Sequence, residues 1–246
     1  THDGTHILAT GHYGNGANFD GNMLPSYGNT DMWIAKLNDT DGSVLEIKAL
    51  GGTEGDRLYQ VVPVENGEYI AVGYFSSSVE LTPSVTVGSA GGFDALMLRL
   101  DTNLDVIDYR QGAGTGTFNQ ANNIWTGPDD AYYWSGYFNG NINFTDTLFS
   151  NSVSGDGYLM TYGSDHSFQW GVSADTDAFG AIAGGSVGPS GQLYLSGTIA
   201  DGDFFGLSYN QTFAESAVFV GQFDPASGEV EKFVAYDGPG ASYASK

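Results

Sequence analysis

A glycine returns at Gly11, Gly73, Gly136 and Gly197, each inside the same short phrase: LATGHY (8–13), AVGYF (71–75), WSGYF (134–138) and LSGTI (195–199). The spacings are 62, 63 and 61 residues, so four periods account for almost all of the 246-residue chain. Self-similarity at a fixed period marks a repeat architecture, in which each copy buries a face against its neighbour and cannot stand alone. A second phrase keeps step with the first: DMWIAKLN (31–38), DALMLRLD (94–101), DGYLMTYG (156–163) and AVFVGQFD (217–224). The expectation is one domain over residues 1–246, made of four equivalent modules.

Each period reads as four strands, A to D. In the second copy these are LYQVVPVE (58–65), EYIAVGYF (68–75), FDALMLRL (93–100) and DVIDYRQG (105–112), runs of alternating or continuous apolar residues. Glu65-Asn66-Gly67-Glu68 reads as the A to B hairpin turn, because Asn-Gly tolerates positive φ, and Asp101-Thr102-Asn103-Leu104 as the C to D turn. Strand C is apolar on both sides. Trp33, Leu96, Tyr158 and Phe219 share one face of their copies, and Ile34, Met97, Leu159 and Val220 the other. A strand buried on both faces lies between two further layers. Four-stranded sheets that sandwich one another in series are the blades of a β-propeller. The expected fold class is therefore all-β, a β-propeller of four four-stranded blades.

The phase of the repeat suggests how such a ring would close. The chain opens within a module, at the strand B hairpin, and GASYASK (240–246) sits where a fifth strand A would begin. Pairing of that C-terminal strand A with N-terminal blade 1 would complete the first sheet and remove an open edge. The alternative is that the four copies belong to a longer tandem array. The start at Thr1, without methionine or leader, is expected of a processed or excised chain.

DMWIAKLNDTDG (31–42) and DALMLRLD (94–101), with GDRLYQVV (55–62) and DAFGAIA (177–183) leading into strand A, resemble the bacterial SBBP-type β-propeller repeat. The resemblance covers all four copies, the fourth most weakly. It implies a place in large exported or surface proteins of bacteria and no general catalytic motif. The family name implies seven blades, whereas this chain carries four copies.

Charge narrows the partners. Seven basic residues stand against 29 acidic ones, a net of −22, which opposes nucleic acid or an anionic membrane. Cations, basic peptides, neutral glycans or a neighbouring protein subunit remain open. With no cysteine, disulfides and thiolate metal sites are excluded. No apolar stretch approaches the roughly 20 residues a membrane helix needs. Sparse lysine beside abundant Asp, Asn, Ser, Thr and Gly suits an extracellular or cell-surface protein.

The candidate ligand-binding residues are Asp31, Asp94 and Asp156, which open strand C, and Asp56, Asn119 and Asp177, placed at the start of strand A. In a propeller both sets face one end, so they would form an acidic channel mouth able to hold a hard cation such as Ca2+ or a basic group. The other reading makes each Asp an acceptor for the backbone N–H groups of its own loop. Ala217 breaks the set in the fourth copy. Asn38-Asp39-Thr40-Asp41-Gly42 resembles a calcium loop but lacks the first and last ligands of the EF-hand pattern, and reads as a C to D turn.

Gly184-Gly185-Ser186-Val187-Gly188 satisfies G-x-S-x-G, yet it leads into a hairpin turn where a nucleophile elbow needs a helix. His2 and His6 with Asp3 offer a weak metal set, and His12 takes the aromatic slot of Tyr74 and Tyr137. The variable B to C connections carry Tyr13, Phe19, Tyr27, Phe144, Phe149, Phe204, Phe205 and Tyr209, either sugar-stacking surface or cover for blade edges. The sequence thus favours a non-catalytic exported binding or scaffold module of a bacterial surface or adhesion protein. Its alternatives are a propeller enzyme acting on polysaccharide, a lyase or glycosidase, and a self-assembling surface or filament subunit.

Overall fold

The structure, a computed structural model, describes residues 1–150, 155–177, 180–210 and 217–238. The described residues form strands, turns and two single 3-10 turns, with no α-helix. The chain divides into two compact units, Thr1–Ile124 and Trp125–Lys246.

The first unit carries β1 (His6–Tyr13), β2 (Asn18–Phe19), β3 (Asn22–Met23), β4 (Asp31–Asn38), β5 (Val44–Leu50), β6 (Arg57–Pro63), β7 (Tyr69–Phe75), β8 (Ser78–Thr82), β9 (Val85–Gly88), β10 (Asp94–Leu100) and β11 (Val106–Gly114). Strand β12 (Gln120–Thr126) runs across the point where the two units divide. In the first repeat β1, β4 and β5 lie side by side, and in the second β6, β7, β10 and β11 do, all antiparallel. The strand sequence A-B-C-D is thus a simple meander, and each strand of the second copy falls within two residues of its expected bounds.

The second unit carries β13 (Tyr132–Phe138), β14 (Asn141–Asn143), β15 (Leu148–Ser150), β16 (Asp156–Tyr162), β17 (Phe168–Ser173), β18 (Asp175–Thr176), β19 (Ala181–Val187), β20 (Leu193–Ile199), β21 (Gly202–Phe204), β22 (Leu207–Tyr209), β23 (Ala217–Phe223) and β24 (Val230–Tyr236). Strands β13, β16 and β17 lie side by side, and β19, β20, β23 and β24 form the meander of the fourth repeat.

The connections between strands B and C, expected as loops, contain small antiparallel hairpins: β2-β3, β8-β9, β14-β15 and β21-β22. The turns within the meander follow their sequence. Asn66 and Gly67 adopt φ of 60° and 73° in the A to B turn, the left-handed region that this pair enters at little cost.

Each unit has its own core. In the first, Leu8, Ile34, Leu58, Val61, Phe75, Leu96 and Leu98 pack together, with β6 set against β1 and β4. In the second, Leu159, Ile182, Leu195, Phe204, Phe219 and Phe223 pack together, with β19 set against β13 and β16. Burial of such a side chain contributes about 1.5–3 kcal/mol, and the apolar strand C of one repeat becomes a wall for strand A of the next.

Strand C is buried on both faces in the second and third repeats. The fourth departs from the expectation, because Val220 is 52% exposed. In the first repeat Trp33 is half-buried and covered by the Phe19 ring at 4.7 Å. The segment GASYASK at 240–246, expected to supply strand A of the first blade, lies outside the described residues.

Candidate functional site

The candidate carboxylates occupy two equivalent kinds of position, Asp31, Asp94 and Asp156 at the start of strand C and Asp56 just before strand A. Each stands where the open end of a hairpin must be held shut, opposite the end of the antiparallel partner strand. Asp56 immediately precedes β6, and its Oδ1 accepts the Ser76 N–H at 3.0 Å just beyond β7, while Oδ2 accepts the Gly52 N–H at 2.6 Å. Asp94 opens β10 and repeats the arrangement: Oδ1 accepts from Gly114 N–H at 3.4 Å and Oδ2 from Ala90 N–H at 2.8 Å, with Gln111 Nε2 added at 2.7 Å. Asp156 opens β16 and accepts from Thr176 N–H at 3.1 Å and its hydroxyl at 2.6 Å. Asp31 accepts the Tyr27 N–H at 2.9 Å on Oδ2, and its Oδ1 has no partner.

The spacing explains the repetition. The donors of Asp56 and Asp94 lie four residues before and twenty residues after the acid, and Asp156 uses the same downstream donor. A strand, its turn and its return strand bring the downstream amide beside Asp56, Asp94 and Asp156, whereas Asp31 takes only the upstream one. Such charge-assisted bonds are about twice as strong as neutral ones, and they satisfy amides that the ladder leaves over.

Asp31, Asp56, Asp94, Asn119 and Asp156 are all fully buried, so they do not line an open acidic mouth. Their polar neighbours are mostly backbone N–H groups, which suit an anion and oppose a cation. Among the described residues no group of three or more His, Asp or Glu side chains is arranged to hold a metal ion, so the Ca2+ expectation gains no site here.

Asn119 and Asp177 fall differently. Asn119 precedes β12 as Asp56 precedes β6, with both side-chain polar atoms buried and unpartnered. Asp177 does not share that position. The residue before β19 is Gly180, and Asp177 is exposed three places upstream, its N–H bonded to Asp201 O at 2.7 Å. The intervals account for this: Asp56 and Asn119 each lie 25 residues after the acid that opens the preceding strand C, whereas Asp177 lies 21 residues after Asp156 and falls beside β18, which pairs with β21.

A second repeated device joins successive repeats. Thr30 and Gly55 form a parallel bridge, as do Phe93 and Phe118. In the same place Gly180 N–H donates to Gly155 O at 3.2 Å. Each link ties the residue before strand C of one copy to the approach of strand A of the next.

Electrostatics at this end are dominated by burial. Burial lifts the Asp56 carboxyl, against its two backbone hydrogen bonds and with help from Asp31 and Glu54, from 3.8 to about 6. Burial likewise lifts the Tyr13 hydroxyl to about 12, with Asp31 contributing. His12 is harder to protonate than an ordinary histidine, through partial desolvation of an otherwise exposed ring and then the charge of Arg57.

The other candidates resolve into structure. In 38–42 Asn38 Oδ1 accepts from Thr40 N–H at 2.8 Å and Asp41 Oδ1 from Ser43 N–H at 3.0 Å, a turn between β4 and β5. Asp101 and Asp224 cap the equivalent turns in the same way. Ser186 lies within β19, with a turn and no helix after it. His6 Nδ1 lies 3.2 Å from Asp3 Oδ2, whereas His2 faces Asp39 at 3.6 Å, so the two imidazoles serve separate acids. Hydrogen bonds from the Thr5 and His6 amides, Tyr69 and the His6 ring outweigh burial and hold Asp3 well below the carboxylate range.

His12 is exposed, unlike Tyr74. Of the aromatic residues expected on the B to C connections, Tyr13, Phe144, Phe149, Phe204 and Phe205 are buried, Phe19 and Tyr209 are half-buried, and Tyr27 is 48% exposed. Phe144 and Phe149 pack on Tyr158 of β16 at 5.2 and 6.1 Å, and Phe204 on Phe219 of β23 at 4.6 Å, so these rings cover the faces of C strands.

Sequence reasoning passed over Arg57. It lies at the first position of β6, in a cleft of about 560 Å3 that also includes Tyr74, Ser77 and Phe93. Its guanidinium stands 5.9 Å from the centre of the Tyr74 ring, and Tyr74 stacks on Phe93 at 4.5 Å. No short motif announces such a site, since its walls come from four separated segments. Comparison with known proteins adds no assignment: no family model matches the chain, and no curated protein matches it.

Proposed function

We propose that the chain is an exported, non-catalytic binding or scaffold module, a four-bladed β-propeller of SBBP-type repeats belonging to a bacterial surface or adhesion protein. The observation that carries the reading is the link made three times between successive repeats, at Thr30 with Gly55, Phe93 with Phe118, and Gly155 with Gly180. A meander stitched in this manner to the next meander is a blade joined to a blade. Closure of the ring by residues 240–246 belongs to the same proposal.

The non-catalytic reading is supported by what engages the acids. A general acid or base must reach substrate, and Asp56, Asp94 and Asp156 are buried beneath backbone amides. Recognition then falls to the small B to C hairpins and the clefts beside them, variable elements on a rigid scaffold. A glycan is the favoured partner, with a basic peptide or a neighbouring subunit as the competing ones.

Affinity electrophoresis through gels containing neutral and acidic polysaccharides, with the eluted glycans assayed for new reducing ends and unsaturated products, tests this. Retardation by at least one polysaccharide without product is expected. Product release would establish the enzyme reading in its place, and no retardation by any of them would remove the glycan as partner.

A further inference from the structure

Arg57 stands apart from the other described cations. Lys48 pairs with Asp105 at 2.8 Å, Arg99 with Glu68 at 2.6 Å and Arg110 with Asp108 at 2.8 Å. Lys36 is bound by the Thr102 carbonyl and Lys232 by Gln222. Arg57 has no ion pair among the described residues, and its Nε is buried without a hydrogen-bond partner. In a chain of net charge −22, a guanidinium left without a carboxylate is the unusual feature. A buried donor of this kind is costly to leave unmade.

The walls of the cleft supply the rest of a recognition site. Tyr74 and Phe93 form a stacked aromatic side, extended by Phe118, which meets Phe93 edge-on at 5.4 Å and is 44% exposed. Ser77 also lines the cleft, with a buried and unpartnered Oγ and a left-handed backbone of φ 67°. A non-glycine residue held in that conformation is a recurrent mark of functional positions. Glu54 lines it too, its carboxylate held by Asn29 Nδ2 at 3.0 Å. The volume of about 560 Å3 lies inside the range of roughly 300–1,000 Å3 common to small-ligand sites.

We propose that this cleft binds a sugar acid, a hydroxylated ring carrying a single carboxylate. The guanidinium fork matches a carboxylate with two parallel hydrogen bonds. The aromatic wall suits the C–H face of a pyranose ring, and Ser77 and Glu54 suit its hydroxyls. One cation in a strongly acidic protein selects a single negative charge, because the field of the whole chain repels a polyanion. The inference rests on the reading of the protein as a glycan-binding module, and it names that module's ligand class and its contact residue.

Calorimetric titration of the full chain with glucuronate, glucuronamide, glucose and a dipeptide with a free C-terminal carboxylate tests it. Glucuronate is expected to bind at least tenfold more tightly than glucuronamide or glucose, a comparison made on the wild-type protein and so independent of any folding defect. Arg57→Gln should abolish that preference, and Arg57→Lys should weaken it, with unchanged melting curves as the control. Equal binding of glucuronate and glucose, or an unaltered preference in a folded R57Q protein, overturns the proposal. So does binding of the dipeptide without binding of glucuronate. If polysaccharide retardation persists unchanged in R57Q, this cleft fails while the binding-module reading stands. Release of cleavage products removes the module reading whatever Arg57 does.

Discussion

The carbonyl oxygen of Arg57 occupies the space that a side chain at Gly73 would fill, and Leu58 Cα lies 2.9 Å from the position of that missing Cβ. The cause is a bulge in β6 between Leu58 and Gln60, opposite Gly73. The fourth repeat builds the same thing, with a bulge between Ile182 and Gly184 in β19 and the Ala181 backbone against Gly197. In these two repeats the glycine thus marks where strand A bends onto strand B.

Gly73→Ala should therefore destabilise the protein by about 1–3 kcal/mol, the ordinary range for forcing atoms into a packed site. Gly88→Ala, where an added Cβ meets nothing within 4 Å, should stay within about 0.5 kcal/mol of wild type. Urea midpoints of the two variants check this, and equal midpoints would count against the bulge.

Asp56 links stability to pH. Burial raises its carboxyl from 3.8 to about 6, so folding favours the protonated acid. The stability it contributes is complete below pH 4 and is lost as pH rises through about 6. At roughly 1.4 kcal/mol per tenfold change, wild type should lose about 2–3 kcal/mol relative to Asp56→Asn between pH 4 and pH 7. Parallel stability curves for the two proteins would contradict this assignment.

Ser77 holds a φ of 67° with its Oγ buried and unpartnered. A left-handed conformation costs an L-residue about 1–2 kcal/mol, partly offset by the larger entropy that glycine loses on folding. Ser77→Gly should raise stability by roughly 0.5–1 kcal/mol in chemical denaturation and weaken glucuronate binding in calorimetry. A destabilised variant would show that the hydroxyl has a stabilising partner.

Much of the architecture is legible in the residues. The period of the glycines, the apolar C strands and the Asn66-Gly67 turn place β6, β7, β10 and β11 within two residues of their bounds. The small hairpins were hidden because each arm is short and the connections differ from copy to copy. In the second repeat the alternation of SVELT and VTVG around Pro83-Ser84 carries the signal for β8 and β9. Asp177 stands outside the set because it lies 41 residues after Gly136, whereas Asp56 and Asn119 lie 45 and 46 residues after Gly11 and Gly73, a count that from Gly136 reaches the first residues of β19. The repeated aspartates were legible as a set, but their burial depends on amides twenty residues away. Arg57 carries no local pattern, since residues near 30, 55, 75 and 90 meet around it only in the folded chain.

The proposed closed ring is tested most directly by small-angle scattering of the monodisperse chain at low concentration. A single compact ring of this length should give the mass of a monomer and a radius of gyration of about 18 Å, as folded domains of this size do. A monomer with a radius of gyration well above that value, or an assembly that grows with concentration, would contradict it.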